Sequence, residues 1–138
     1  MGNRAVITTH PYKATNPAIY LHWNGGRASI EGFLLACKRL EYRMPEYDPE
    51  YAMARLTGLL CAFFPDGLSV GLGRAKSLAN SGLDNGVYTI GGNWEIKGRL
   101  FSEGVNEEIN PDKTEKIAQL IIDRINALSN VVDSQSTK

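Results

Sequence analysis

The chain has 138 residues, which suits a single domain and excludes two independent hydrophobic cores. With 43% hydrophobic and 22% charged residues, its composition excludes the disordered, collagen-like and coiled-coil classes. Fifteen Lys and Arg residues balance fifteen Asp and Glu residues, so the net charge does not indicate direct binding to nucleic acid or to an anionic membrane.

Charge is nevertheless distributed unevenly along the chain. Residues 1–47 carry six basic and three acidic side chains, whereas residues 102–138 carry four basic and seven acidic ones. We expect a polarised surface only if the fold keeps these two segments apart.

The sequence predicts a cytoplasmic protein. It has no run of about 18 apolar residues, and Gly2, Asn3 and Arg4 do not resemble the start of a signal peptide. Cys37 and Cys61 lie in apolar helical runs, which predicts two buried thiols. A disulfide between them requires the two helices to touch at that point.

The first predicted elements are two short strands. β-Branched side chains fill residues 5–9, and residues 19–23 alternate with the period of a strand. The alternation places Ile19, Leu21 and Trp23 on one face, and Tyr20 and His22 on the other.

Two helices are predicted next. Ser29 is expected to cap a helix that fades by Tyr42, and Asp48 followed by Pro49 marks the start of a second helix. No charged residue occurs in the stretch 56–64, so the second helix is expected to be buried on most sides.

Three more strands and a helix complete the chain. The sequence predicts a strand at Leu68, Val70 and Leu72, a loop over 77–82, and a hairpin of 87–90 with 94–100 around two glycines. Asn110 is expected to cap the last helix. Its predicted apolar stripe consists of Ile117, Leu120, Ile121, Ile125, Leu128 and Val132.

The order ββααβββα predicts an α+β fold, with a mainly antiparallel sheet of about five strands and three helices covering one face. Residues 1–133 are assigned to this single domain. Residues 134–138 are expected to form a frayed tail.

The turn before the first helix is the first candidate binding site. Asn24, Gly25, Gly26, Arg27 and Ser29 bring amide groups, a hydroxyl and a guanidinium to a helix N-terminus, where an anion is favoured. In the structural alternative, the glycines only permit a tight turn, Ser29 only caps the helix and Arg27 is solvated.

A polar aromatic patch is the second candidate. Tyr20 and His22 share a strand face, and Tyr88 from another strand is predicted to join them beside Trp23, a composition suited to a protein interface. The alternative is that these side chains are merely half-buried. His10 and His22 are the two histidines of the chain and lack the spacing of metal ligands or of a catalytic triad, so no metal, cofactor or catalytic residue is predicted.

Glutamates in the loop before the last helix complete the survey. Glu107 and Glu108 are expected to be solvated there, with partial stabilisation from the helix N-terminus.

Four blocks of the chain resemble small uncharacterised bacterial proteins found largely on phages, prophages and conjugative elements. The blocks are NRAVI at 3–7, IYLHWNGG at 19–26, LSVG at 68–71 and DNGVY at 84–88. Small proteins of mobile elements often block host defence systems, anti-CRISPR proteins among them. The resemblance therefore implies a setting and an anti-defence role, with no residue roles to carry over.

Three functions are open on these grounds. The first is a non-enzymatic binding protein that inhibits or modulates a protein complex of the bacterial host, using the sheet and its loops. The alternative is a binder or sponge for a nucleotide-like anion at residues 24–29, and an enzyme ranks third. A homodimer through Trp94, Phe101 or the stripe on the last helix also stays open.

Overall fold

The computed structural model describes residues 2–64, 69–79, 83–105, 107 and 109–136, with residues 130–136 described as backbone. The elements in chain order are β1 (Ala5–Thr9), β2 (Pro17–Leu21), α1 (Arg27–Arg39), α2 (Pro49–Phe63), β3 (Val70–Arg74), α3 (Ala75–Ala79), β4 (Val87–Gly91), β5 (Glu95–Leu100) and α4 (Pro111–Ser136). The predicted α+β class with a five-stranded sheet is confirmed.

The sheet has the strand order β3-β2-β1-β4-β5. All neighbouring pairs are antiparallel except β1 and β4, which run parallel at the centre. Every residue of β1 and β4 is buried, because both faces of these central strands are covered. Because three of the four neighbouring strand pairs are antiparallel, the prediction of a mainly antiparallel sheet is confirmed.

The main core lies between the sheet and the helices α1, α2 and α4. It is built from alternate strand residues and from the apolar faces of these helices. Its fully buried large side chains include Ile7, Ile19, Leu21, Ile30, Phe33, Leu56, Leu60, Ile90 and Ile121.

The opposite face of the sheet is covered by the short helix α3. Val6, Ala18 and Val87 form a second cluster there with Ala75, and Leu78 packs against it. The predictions that 77–82 is a loop and that the helices lie on one face were wrong, because the second face of the central strands is also apolar and needs cover. Residues 80–82, and Leu68 of the predicted third strand, lie outside the described residues.

Local start signals located two of the helices correctly. The Asp48 carboxylate accepts a hydrogen bond from the Tyr51 N–H at 3.1 Å, and the Asn110 side-chain oxygen accepts one from the Lys113 N–H at 3.1 Å. Both residues cap their helices as predicted.

The extent of burial was overestimated for α2 and α4. Gly58 and Cys61 are exposed on α2, so the expectation that this helix is buried on most sides was wrong. Leu120 and Leu128 of the predicted α4 stripe are exposed as well. A helix that lies on the outside of a single layer buries only one face, whatever the composition of the other.

The two cysteines differ in environment. Cys37 is buried as predicted, and the loss of hydration raises the pKa of its thiol. Cys61 is exposed, contrary to the prediction, and both thiols are free.

The hairpin between β4 and β5 forms where the glycines predicted it. Gly92 has a φ of 55° and Trp94 a φ of 61° in its turn. Trp94 is buried, and its Nε1–H donates a hydrogen bond to the Tyr42 carbonyl at 3.0 Å. Trp94 is thus part of the core, and a dimer through it is excluded, whereas Phe101 is exposed.

Contacts between α1 and α4 bring the basic N-terminal segment and the acidic C-terminal segment of the chain together. Arg39 of α1 pairs with Glu115 of α4 at 2.6 Å, and the Thr114 hydroxyl donates a hydrogen bond to the Ala28 carbonyl at 2.9 Å. The basic and acidic segments therefore lie side by side, and their charges offset one another locally.

The contact between α1 and α4 makes a matched pair of glycine variants informative. A Cβ at Gly32 would lie 2.8 Å from Ile117 Cγ2, whereas a Cβ at Gly58 would meet no atom within 4 Å. Gly32→Ala should lower the free energy of unfolding by about 1–3 kcal/mol through overpacking. Gly58→Ala should raise it by about 0.5–1 kcal/mol through helix propensity. Urea unfolding of both variants measures this, and equal effects would contradict the close packing.

Candidate binding site

Gly25 joins the turn after β2 to the two central strands. Its N–H donates a hydrogen bond to the Asn3 carbonyl at 2.9 Å, and its carbonyl accepts one from the Tyr88 hydroxyl at 2.8 Å. A Cβ at this position would lie 2.5 Å from the Asn3 oxygen and 2.7 Å from Ala5 Cβ. Only glycine allows this approach, which supports the structural alternative for Gly25.

Helix α1 begins two residues after Gly25. Gly26 is its N-cap and offers no side chain, and Ser29 is a buried residue of the first turn. The prediction that Ser29 caps the helix was wrong, because the turn ends earlier than its pattern indicated. The Ser29 hydroxyl instead lies 3.5 Å from the Asn24 side-chain nitrogen, which donates to it.

The N-terminus of α1 already holds a carboxylate of the same chain. The Arg27 N–H donates to the two Glu107 carboxylate oxygens at 3.1 and 3.2 Å, and the Arg99 guanidinium pairs with the same group. Glu107 is an exposed residue whose side chain is 25% exposed, so it contacts solvent as expected, but its contacts with α1 and Arg99 were not predicted. Glu108 lies outside the described residues.

The Arg27 guanidinium is also engaged within the chain. It pairs with Glu31, one helical turn along α1, at 2.9 Å. The predicted anion site thus has its charges balanced by Glu107 and Glu31.

Tyr88 does not share a surface with Tyr20. The sheet register pairs Val6 with Tyr20 and Ile7 with Tyr88, and consecutive residues of β1 point to opposite faces. Tyr88 is fully buried under the helices, where burial raises the pKa of its hydroxyl. The prediction that it joins the aromatic patch was therefore wrong.

Trp23 leaves the sheet because β2 ends at Leu21. The predicted face shared with Ile19 and Leu21 was wrong, and Trp23 is 46% exposed. Asn24 follows with a φ of 61°, which turns the chain sharply toward Gly25. The Trp23 N–H donates to the Ser69 hydroxyl at 3.0 Å, so the backbone is held while the indole faces outward.

Tyr20 and His22 lie beside Trp23. The Tyr20 hydroxyl and His22 Nδ1 share a hydrogen bond at 3.0 Å, and the His22 and Trp23 rings meet edge to face with centroids 4.9 Å apart. The structure therefore brings together three of the four predicted aromatic and histidine side chains.

A charged pair that sequence reasoning missed borders these rings. The Arg4 N–H and guanidinium donate to Asp84 at 2.9 and 3.1 Å. Their positions lie 80 residues apart, so no local pattern links them. We define the Trp23 patch as Tyr20, His22, Trp23, Arg4 and Asp84.

The Trp23 patch is an open surface. Its shallow depression has a volume of about 390 Å³ and is lined by Gly2, Arg4, His22, Trp23 and Asp84. A second open groove, of about 400 Å³, lies between the β1–β2 connection and the start of α2, and is lined by His10. The two histidines therefore belong to different surfaces.

Neither a metal cluster nor a membrane span is found in the part of the chain that the structure describes. It contains no group of three or more His, Cys, Asp or Glu side chains placed to hold a metal ion. None of its helices is both long and apolar enough to cross a bilayer.

None of the family models, curated proteins or solved structures compared with this chain matches it. The functional argument below therefore depends on the geometry of the chain itself.

Removal of the Glu107 charge should destabilise the protein. Glu107→Gln keeps the shape but weakens the contacts to the Arg27 N–H and to Arg99, so we expect a loss of about 1–2 kcal/mol in unfolding free energy. Glu103→Gln is the matched control, because Glu103 is exposed in the same loop. Chemical denaturation checks this, and equal stability of the two variants would show that Glu107 does not hold the helix end.

Asp84 should contribute to stability in a pH-dependent way. The hydrogen bond from the Arg4 side chain lowers the pKa of Asp84 below its ordinary value of 3.8. A carboxylate with a lowered pKa stabilises the folded state above 3.8, and this contribution is lost as the pH falls through the folded value. Asp84→Asn and Arg4→Gln should each remove this component, as measured by thermal unfolding across the acid range. Unchanged acid dependence in both variants would contradict it.

Proposed function

We propose that this protein is a non-enzymatic binding protein that inhibits or modulates a protein complex of a bacterial host by occupying part of its surface. The observation that carries the proposal is Trp23, which is 46% exposed although the backbone around it is fixed. We further propose that it acts in the cytoplasm as a product of a phage, prophage or conjugative element.

The Trp23 patch is preorganised. The His22 carbonyl accepts a hydrogen bond from the Asn3 N–H at 2.8 Å, and the His22 N–H donates to the Ser69 carbonyl at 2.9 Å. Trp23 follows with its own N–H on the Ser69 hydroxyl. A fixed backbone reduces the entropy lost on binding, and Trp, Tyr and Arg are the residues that dominate binding energy at interfaces.

The charges of the Trp23 patch favour a protein partner over nucleic acid. Arg4 is neutralised by Asp84, and both side chains are partly exposed at the edge of the rings. A nucleic-acid interface needs cations that remain free to contact phosphates. A paired Arg and Asp beside exposed rings instead suits the polar rim of a protein interface.

The setting on a mobile element rests on the resemblance of four sequence blocks. Each block contributes to the Trp23 patch or to its support: NRAVI supplies Arg4, IYLHWNGG the three rings, LSVG the Ser69 anchor, and DNGVY Asp84. Their convergence supports the interpretation that this surface is the functional one. Host defence complexes, such as those that anti-CRISPR proteins block, are the partner class that the resemblance favours.

No observation favours the anion-binding alternative. A nucleotide-like anion at residues 24–29 would have to displace the Glu107 carboxylate from the Arg27 N–H. We therefore do not carry this function further.

The proposal is tested by affinity capture from the bacterial host, followed by measurement of Kd for the captured complex. Trp23→Ala should weaken binding about 30-fold or more, since loss of an interface hot spot costs at least about 2 kcal/mol. Tyr47→Ala is the matched control, because Tyr47 is 72% exposed and lies outside the Trp23 patch. The Tyr47→Ala variant should bind with the same Kd as the unmodified protein.

Trp23→Ala also removes the ring contact with His22, so the thermal unfolding midpoint of each variant is measured and binding is compared at a temperature where both are folded. Capture of no macromolecule, or equal weakening by the two variants, would contradict the proposal.

A further inference from the structure

Strand β3 is an open edge of the sheet. It ends the strand order and pairs only with β2 among the described residues. Leu72 at its centre is 70% exposed, more than most large apolar side chains of the chain that are described as exposed.

The hydrogen-bond ladder fixes which residues of β3 face outward. The His22 N–H donates to the Ser69 carbonyl, and the Ala75 N–H donates to the Asn16 carbonyl, one at each end of the β2–β3 pairing. Residues of an antiparallel pair alternate between facing the partner strand and facing away. The main-chain groups of Val70, Leu72 and Arg74 therefore point away from β2.

The opposite edge of the sheet is protected, in contrast. Strand β5 carries Glu95, Lys97 and Arg99, and the β4–β5 ladder contains an irregularity between Thr89 and Ile90. Charges and bulges are the features by which edge strands avoid pairing with another chain. In strand β3 the one charged residue is Arg74, at its end, and its pairing with β2 has no irregularity.

We propose that β3 pairs antiparallel with β3 of a second copy, about a two-fold axis at Leu72. In this register Val70 lies opposite the partner's Arg74, Gly71 opposite the partner's Gly73, and Leu72 opposite the partner's Leu72. Each outward residue then donates one main-chain hydrogen bond and accepts one, because outward positions meet outward positions.

The composition of β3 makes a second copy the occupant that fits. No like charges meet, since Arg74 faces a valine, and the glycines that face each other bring no side chains of their own into the pairing. The axis brings Leu72 against its own copy, so that the exposed apolar side chains cover each other. Because the chain has a net charge of zero, two copies do not repel one another at long range.

Light scattering tests the proposal directly. The parent protein should have twice the monomer mass of 15.2 kDa. Leu72→Lys and Leu72→Glu should each be monomeric, because the register places like charges opposite each other. An equimolar mixture of the two variants should regain the dimer, because Lys then faces Glu.

A variant on the other edge is the control. Leu100→Lys on β5, also an exposed leucine, should leave the dimer intact. Circular dichroism checks that each variant is folded, since Leu72 is 70% exposed but Leu100 only 37%. A monomeric parent protein, a dimeric Leu72→Lys variant, or a mixture that stays monomeric would overturn the two-fold β3 pairing.

Discussion

The structure depends on the contacts that Gly25, in the turn after β2, makes with the two central strands. Its N–H donates a hydrogen bond to the carbonyl of Asn3, just before β1, and its carbonyl accepts one from the hydroxyl of Tyr88 on β4. Since β1 and β4 are parallel neighbours and are buried on both faces, Gly25 connects the turn after β2 to the centre of the sheet. Any side chain at this position would force β1 and the turn apart.

The residues before and after this fixed turn lie in different environments. Before it, Trp23 is directed outward and can contact another molecule. After it, α1 starts where the Glu107 carboxylate accepts a hydrogen bond from the Arg27 N–H and pairs with Arg99. The charged groups near the turn are thus satisfied within the chain, and the aromatic side is the one that remains open. The geometry therefore favours binding through side chains over capture of an anion.

Local sequence signals correctly predicted the structural features that depend on neighbouring residues. The caps at Asp48 and Asn110 and the turn at Gly92 were found because each depends on a few neighbouring residues. The separation of Tyr88 from Tyr20 depends instead on the register of three strands. That register is set by long-range pairing and could not be predicted from one sequence.

The site residues show the same division. Trp23 was identified, but its face was predicted wrongly because the end of β2 at Leu21 was placed two residues too late. The Arg4–Asp84 pair and the contact of Glu107 with the Arg27 N–H were missed, because the residues of each pair lie 80 positions apart along the chain. Helix α3 was missed because a short helix of five residues has little pattern of its own, and it is stabilised by the apolar sheet face it covers.

The two proposed surfaces use different chemistry and therefore serve different purposes. The Trp23 patch offers rigid side chains, which discriminate between partners by shape and by the position of polar groups. The β3 edge offers main-chain groups, which pair with almost any extended chain and so constitute an aggregation hazard if left open. Pairing of β3 with its own copy removes that hazard without any added charge on the strand. On this argument, self-association protects the sheet edge and leaves recognition of other molecules to Trp23.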